Sequence, residues 1–352
     1  MSRSVTLQDV AERAGVHRST VTLALRDSPR LPLATRRRIK AIADALGYRV
    51  NPLVAALMRS RRSGRPVEGS TLGFVTNYPT RDGWRRPYHD RPDYFPGARD
   101  RAREFGYNLE HFWLGEPGMT ITRFAGILRA RAVHGLIIGR LPPGQCTLDL
   151  AWDRISAVAL GMTLRSPLLH HVTENHFDTA RQAMRQCRER GYRRVGFVFT
   201  EANDSPGVNE RWLGAYLQQQ QQELPPGDRL AVCPGSPPAE SVFFEWIRRE
   251  RPDALLVTNA SAIRIAERLA SVGKRVPDDI GLVELQDNPG RDFAGVHHEP
   301  ARVGALAVDL LIGLLHRNET GIPDYPHEIL LPGRWLDTGS LPPRDRRAGS
   351  TQ

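Results

Sequence analysis

Thr6-Leu7-Gln8-Asp9-Val10-Ala11-Glu12-Arg13-Ala14-Gly15-Val16-His17-Arg18-Ser19-Thr20-Val21-Thr22-Leu23-Ala24-Leu25 is the stretch from which the fold can be read. Thr6 and Asp9 have the spacing of a capping box, which opens a helix by satisfying its first backbone N–H groups. Leu7, Val10, Ala11 and Ala14 then share one helical face, and Gly15 stops the run. After the Gly15-Val16 turn a second run, His17 to Leu25, turns Val21, Ala24 and Leu25 inward and leaves His17, Arg18, Ser19, Thr22 and Leu23 largely outside. A third helix is expected from about Leu33, with Ile39, Ile42, Ala43 and Leu46 at helical spacing and Gly47 as its terminator. Two helices joined by a tight glycine turn and buttressed by a third make a helix-turn-helix.

Charge sharpens this reading. Residues 1–66 hold 14 of the chain's 49 Lys and Arg but 4 of its 39 Asp and Glu, which leaves 35 of each for the rest and makes the +10 wholly N-terminal. A basic arm on an electrically neutral body suits a polyanionic partner. Charge alone, as in Arg36-Arg37-Arg38, also describes a solvated helix face. Joined to the capping box, the glycine turn and an exposed polar second helix, it points to double-stranded DNA, with the second helix in the major groove and arginines on phosphates.

The 352 residues, 40% hydrophobic and 25% charged, suffice for a small domain plus a large or bilobed one. The N-terminus lacks the apolar core of a secretory signal and no run of 18 apolar residues occurs, so a cytoplasmic location and no membrane partner are expected. Cys146, Cys187 and Cys233 show neither disulfide nor zinc spacing and read as buried or half-buried thiols. His170-His171 and His297-His298 have no supporting carboxylate spacing, so no metal is expected. No GxGxxG, P-loop, GxSxG or HExxH motif occurs. No enzyme activity and no cofactor are therefore expected.

From Ser70 onward, strand-like runs (71–76, 108–113, 135–139, 157–161, 194–200, 254–258, 281–285) alternate with helical ones (98–106, 121–132, 179–191, 210–222, 241–250, 262–273). Repeated β-α-β units mean parallel sheets with helices on both faces, and the length suggests two lobes facing across a cleft. Ligand then binds beyond the strand carboxyl ends, at the loops after Val75, Phe199, Thr258 and Leu285. The loop 77–89 carries Tyr78, Trp84 and Tyr88 among arginines; it is either a lid that stacks on a ring-shaped ligand or a loop folded on its own surface.

The string Thr6–Val16, with Ser19-Thr20-Val21-Thr22, Thr35-Arg36, Arg38, Leu46-Gly47-Tyr48 and Asn51-Pro52, resembles the DNA-binding domain of the lactose-repressor (LacI/GalR) family. The resemblance continues through Gly191–Phe197, Arg211 with Gly214 and Tyr216, Val276-Pro277-Asp278-Asp279-Ile280 and Leu330-Leu331-Pro332, and so covers essentially the whole chain. It implies a small all-α helix-turn-helix domain with a hinge helix (1–60, hinge about 51–58), a linker (61–69), a two-lobed α/β domain of periplasmic-binding-protein type (70–342) and a disordered tail (343–352). Its implied partners are an operator DNA, a second copy of the chain and a small effector, a sugar or related metabolite.

The same resemblance assigns DNA contact to Thr6, His17, Arg18, Ser19, Thr20, Thr22, Leu23, Arg26, Tyr48, Asn51, Val54 and Leu57, with Leu57 as a minor-groove wedge. The alternative for 51–58 is a linker helix packed on the body. His17 replaces the usual capping Ser, and Leu23 replaces an Arg that often reads guanine, so a different operator is expected. Effector contact falls to Tyr78, Trp84, Arg211, Asn259, Gln286 and Asp287, a surface ion pair being the alternative for Arg211. Ala260 and Gln286 stand where the family often has Asp, which removes negative charge and favours a ligand with fewer hydroxyls or an anionic one. A solute-binding protein or a sugar-modifying enzyme could share the body, but the basic head argues against the first and the lack of catalytic motifs against the second.

Overall fold

The head opens on the expected capping box: the Asp9 N–H donates to Thr6 Oγ1 at 3.3 Å, and the Thr6 N–H donates to the Asp9 carboxylate at 2.7 Å. It consists of α1 (Leu7–Ala14), α2 (Arg18–Leu25) and α3 (Leu33–Ala45). Gly15 takes φ 64°, ψ 36°, the left-handed turn that a residue with a side chain adopts only at a cost. Val10, Ala11, Ala14, Val21, Ala24, Ile39, Ala43 and Tyr48 close its core. The computed structural model describes residues 5–25, 28, 30–46, 48, 70–85, 92–200, 206–258, 262–286 and 292–344.

The body has two parallel-sheet lobes, as the alternation requires. In chain order its elements are β1 (Ser70–Thr76), α4 (Phe95–Glu104), β2 (Tyr107–Trp113), α5 (Ile121–Ala130), β3 (Gly135–Ile138), β4 (Ser156–Leu160) and β5 (His170–Glu174). There follow α6 (His176–Glu189), β6 (Val195–Val198), α7 (Pro206–Glu223), α8 (Glu240–Glu250), β7 (Ala254–Val257), α9 (Ala262–Ser271), β8 (Gly281–Glu284) and β9 (Ala294–His297). The last are α10 (Pro300–Arg317), β10 (Glu328–Leu331) and β11 (Arg334–Leu336). The first sheet runs β10-β5-β4-β3-β1-β2 and the second β11-β9-β8-β7-β6; β11 alone is antiparallel to its neighbour.

Both faces of each sheet are covered. In the first lobe α4 and α10 seal one face around Phe74, Val158, Val172 and Leu311, while Phe124 and Leu128 of α5 seal the other. In the second, α6 and α7 bring Met184, Trp212 and Tyr216 to one face, and α8 and α9 bring Phe243, Trp246 and Leu269 to the other. Fully burying one such large apolar side chain contributes about 1.5–3 kcal/mol. The α4–α10 crossing is close enough to demand glycine: a Cβ on Gly97 would lie 1.9 Å from the Ala301 carbonyl oxygen, and one on Gly304 would lie 2.0 Å from that of Tyr94.

The chain passes between the lobes three times, at 174–176, 297–300 and 331–334, because β5 and β10 pair in the first sheet whereas β9 and β11 pair in the second. Periodicity identified neither β5, β9, β10, β11 nor α10. Two local expectations are corrected. Arg344, placed in a disordered tail, is docked: its N–H donates to Arg190 O at 2.8 Å, and its guanidinium donates to Asp279 O at 2.9 Å and covers the Tyr192 ring. Cys146 is exposed, although Cys187 and Cys233 are buried.

Candidate DNA-binding face and ligand cleft

On the head, His17, Arg18 and Ser19 are exposed and Thr20, Thr22 and Leu23 half-buried, so the opening of α2 is the face offered outward. His17 takes over the cap that a serine would give: Ser19 N–H donates to its Nδ1 at 3.3 Å, and the His17 carbonyl accepts from Thr20 N–H at 2.8 Å. Arg38 ties α3 to α1 by donating to Ala14 O at 3.3 Å. Two of the assigned residues also serve the fold of the head. Thr6 caps α1, its hydroxyl hydrogen-bonded with Asp9, and Tyr48, 8% exposed, packs in the core. Arg26, Asn51, Val54 and Leu57, with the hinge segment, lie outside the described residues.

In the first lobe a small recess opens at the carboxyl ends of β1 and β3, with a cavity volume of about 10 Å³, room for about one water. Phe74, Thr76, Tyr78, Trp84, Tyr94, Gly139 and Arg140 line it. Tyr78 and Trp84, read as lid or surface loop, are neither: both are 6% exposed and belong to the lobe's core. The Trp84 ring lies 5.1 Å from Phe74 and 5.6 Å from Phe95, its N–H donates to Arg81 O at 3.0 Å, and Arg85 covers its face. An aromatic residue in a loop can be core because the sheet edge it meets is apolar, which no local pattern reveals. Beneath it His111 holds Thr76 Oγ1 at 2.7 Å, and burial, with Arg81 and Arg85 nearby, pushes its imidazole down to about 4.

Where the chain first leaves this lobe, a buried polar network forms. The Tyr94 hydroxyl donates to Glu174, whose carboxylate also accepts from Thr173 Oγ1 at 3.2 Å. His176 follows, with Nε2 at 3.4 Å from Thr173 Oγ1 and 3.9 Å from Glu174 Oε2. From the second crossing His298 reaches Thr179 Oγ1 at 3.1 Å. Burial opposes the charge of Glu174, yet its polar surroundings, its own N–H and Arg140 among them, bring its carboxyl below the usual value. Burial drives His176 the other way, down to about 3, so at neutral pH Glu174 is ionised and His176 neutral.

Arg211, on α7, donates to Gly207 O at 2.9 Å and to Glu328 Oε1 of β10 at 2.7 Å, a tie between the two lobes. Gln286 is half-buried after β8, while Asn259 and Asp287 lie outside the described residues. Glu284, missed in the sequence, is buried in β8 and accepts from Ala262 N–H at 2.9 Å, opening α9. Tyr94, Arg140, Glu174, His176 and His298 were also missed. Only the polar run Thr173-Glu174-Asn175-His176 marked the place, and it reads locally as a loop. Among the described residues no group of three His, Cys, Asp or Glu could hold a metal ion.

Comparison with known proteins agrees with this layout. Residues 6–51 match the model described as "Bacterial regulatory proteins, lacI family", and residues 184–341 match the "Periplasmic binding protein-like domain". The head is thus similar to the lacI family of bacterial regulators, and the body to periplasmic binding proteins. Among LacI-family relatives, the HTH-type transcriptional regulator PtxS of Pseudomonas plecoglossicida is 24% identical over 340 residues, covering 95% of this chain and 92% of the relative. The regulator GntR of Escherichia coli K12 is 26% identical over 331 residues, covering 90% and 93%. Among solved structures, the lac repressor dimer bound to operator and the anti-inducer ONPF shares the fold with a TM-score of 0.55 at 19% identity, covering 97% of this chain and all of that one. The regulator CCPA of Weissella paramesenteroides with bound glucose gives 0.53 at 16%, covering 78% and 98%. These relatives are transcriptional regulators, and the chain shares their layout of a helix-turn-helix head followed by a periplasmic-binding-like domain.

Proposed function

We propose that this protein is a LacI-family repressor that grips a pseudo-palindromic operator as a homodimer and is controlled by a small polar effector in the cleft between its lobes. It acts in the cytoplasm, where its DNA is. Two symmetric heads call for a symmetric site. On each, His17, Arg18, Ser19, Thr20 and Thr22 meet base edges or phosphates, Leu23 offers apolar contact, and Leu57 wedges the minor groove from the 51–58 hinge helix. The observation that carries the effector reading is the buried Tyr94–Glu174–His176 network at the lobe crossing, set beside the aromatic Tyr78 and Trp84 at strand ends. Apolar walls with a few convergent polar groups are the make-up of a small-molecule site. Closing of the lobes on a ligand changes their placement, and with it the pairing of the two hinge segments; the coupling is allosteric when ligand and DNA alter one another's affinity equally.

The test is capture of genomic DNA fragments by the full-length protein at near-physiological salt. Recovery of a palindrome with half-sites about one helical turn apart supports the reading. Retention of DNA without a shared sequence, with and without added metabolites, overturns it.

A further inference from the structure

We infer that His176 and Trp212 form a specificity pair on the floor of the cleft that takes a hydroxyl group of a neutral, polyhydroxylated ligand; this rests on the effector reading above. His176 opens α6, the helix by which the chain enters the second lobe, and Trp212 lies in the second turn of α7, which follows the carboxyl end of β6. Both positions are therefore on the cleft side of that lobe. Trp212 is 1% and His176 8% exposed, and their rings meet edge to face at 5.4 Å. Among the described residues neither the indole Nε1 of Trp212 nor the Nδ1 of His176 has a hydrogen-bond partner, although both atoms are buried. A buried polar atom left bare bears its full desolvation, so two on adjoining rings point to a partner beyond the described residues.

Their opposite character defines that partner. The indole N–H can only donate. Thr173 gives its proton to Glu174 Oε2 at 3.2 Å, which leaves Thr173 Oγ1 to accept from His176 Nε2–H at 3.4 Å. The Glu174 carboxylate, 3.9 Å from Nε2, favours the same tautomer. Nδ1 of His176 then presents a lone pair, on a ring that burial keeps neutral. A hydroxyl both gives a proton to such a lone pair and accepts one from the indole. A carboxylate does only the second, and meets Glu174 as a like charge. Arg211 is already paired with Glu328, and the charge of Arg140 is set against the ionised Glu174, so little positive charge is left over for an anion. Water shares the two capacities of a hydroxyl and is the competing occupant.

The test uses the full chain with D-glucose, sucrose, cellobiose and D-mannitol as neutral probes and D-gluconate as the anionic one. Titration calorimetry reads affinity, and the indole ¹⁵N–¹H signal of Trp212, assigned with Trp212→Phe, reads its hydrogen bond. We expect a neutral probe to bind, the Trp212 indole proton to shift downfield, and Trp212→Phe and His176→Phe each to weaken binding about tenfold. His176→Phe keeps a ring against Trp212 and supplies the second reading if Trp212→Phe does not fold. Unchanged affinity in the variants with an unmoved indole proton overturns the pair and gives the place to water, leaving the effector reading intact. Binding of gluconate alone overturns the neutral ligand. Binding of no probe by a chain that still captures its operator overturns the ligand class, whereas loss of operator capture as well counts against the regulator reading itself.

Discussion

The Tyr94 hydroxyl lies 2.9 Å from each carboxylate oxygen of Glu174, so one phenol proton serves a whole buried carboxylate. Burial and the adjoining charge push the phenol well above its usual pKa, which keeps it a donor. Tyr94→Phe leaves the carboxylate without that proton, and we expect the body to lose about 1–3 kcal/mol of stability at pH 7. Urea unfolding followed by far-ultraviolet circular dichroism measures it; a loss too small to detect would mean that the hydroxyl is dispensable to Glu174.

Acid should weaken the fold earlier than carboxylate titration alone would. His111 and His176 are held neutral, at about 4 and about 3, against 6.5 in the unfolded chain. Below pH 6.5 the unfolded state takes up protons that the native state refuses, so their contribution is full above that value and is lost as the pH falls toward the folded values. The lowered carboxyl of Glu174 acts in the same direction further down, its contribution being lost as pH falls through its folded value. The urea midpoint at pH 5 should lie below that at pH 7.5, and His111→Phe should narrow the difference. Equal midpoints would mean that both rings are free to protonate in the native chain.

The α4–α10 crossing tolerates no added carbon. Gly304→Ala would set a methyl 2.0 Å from the Tyr94 carbonyl oxygen, which is backbone and cannot swing aside. We expect about 1–3 kcal/mol of destabilisation, more than an ordinary surface substitution. Gly126→Ala, where nothing lies within 4 Å, is the control: comparable losses at the two positions would contradict the close crossing.

Arg211 and Glu328 are 30% and 38% exposed, so their ion pair holds the lobes together only weakly. Glu328→Gln should change global stability by less than about 1 kcal/mol, yet free the guanidinium for a ligand and tighten effector binding. Arg211→Ala should abolish the effector's influence on DNA binding. Identical effector titrations for the parent chain and both variants would remove Arg211 from the site.

His17 does two jobs that substitution can part. His17→Ser retains a side-chain acceptor for the Ser19 N–H, so the head should keep its melting temperature while its preferred bases change. His17→Ala should lose about 0.5–2 kcal/mol of head stability as the cap goes. A uniform fall in affinity across all DNA sequences, with no altered preference, would confine the ring to capping or phosphate contact.

Local chemistry made the head legible. Thr6, Asp9 and Gly15 each act within four residues of where they stand, and the inward set Val10, Ala11, Ala14, Val21 and Ala24 follows from helical spacing. The apolar strands β1, β3, β6 and β7 were visible for a similar reason, being buried on both faces. β5 was not, because His170-His171-Val172-Thr173-Glu174 is a buried strand made largely of polar residues that satisfy one another across the fold. His171, for example, has both ring nitrogens against carbonyl oxygens, at 2.7 and 3.0 Å. The cleft floor links Tyr94, Glu174, His176 and Trp212, which meet only once the chain has crossed from the first lobe into the second, so no spacing announces it. Tyr48 and Trp84 show the opposite limit: amphipathic rings at helix or loop ends read as contacts, and their burial in the core depends on packing that no local pattern reveals.

The threefold passage also sets an order of assembly. Residues 176–297 supply nearly all of the second lobe in one uninterrupted span, whereas the first lobe waits for Val303, Ala307, Val308 and Leu311 of α10 and for β10. On the ribosome both halves therefore wait for the C-terminal stretch, the first for α10 and β10 and the second only for β11 and Leu341. Phe74 and its neighbours on β1 must stay without their covering helix until more than 200 further residues have been added, and a nascent chain halted before Pro300 holds a nearly complete second lobe beside an open first one.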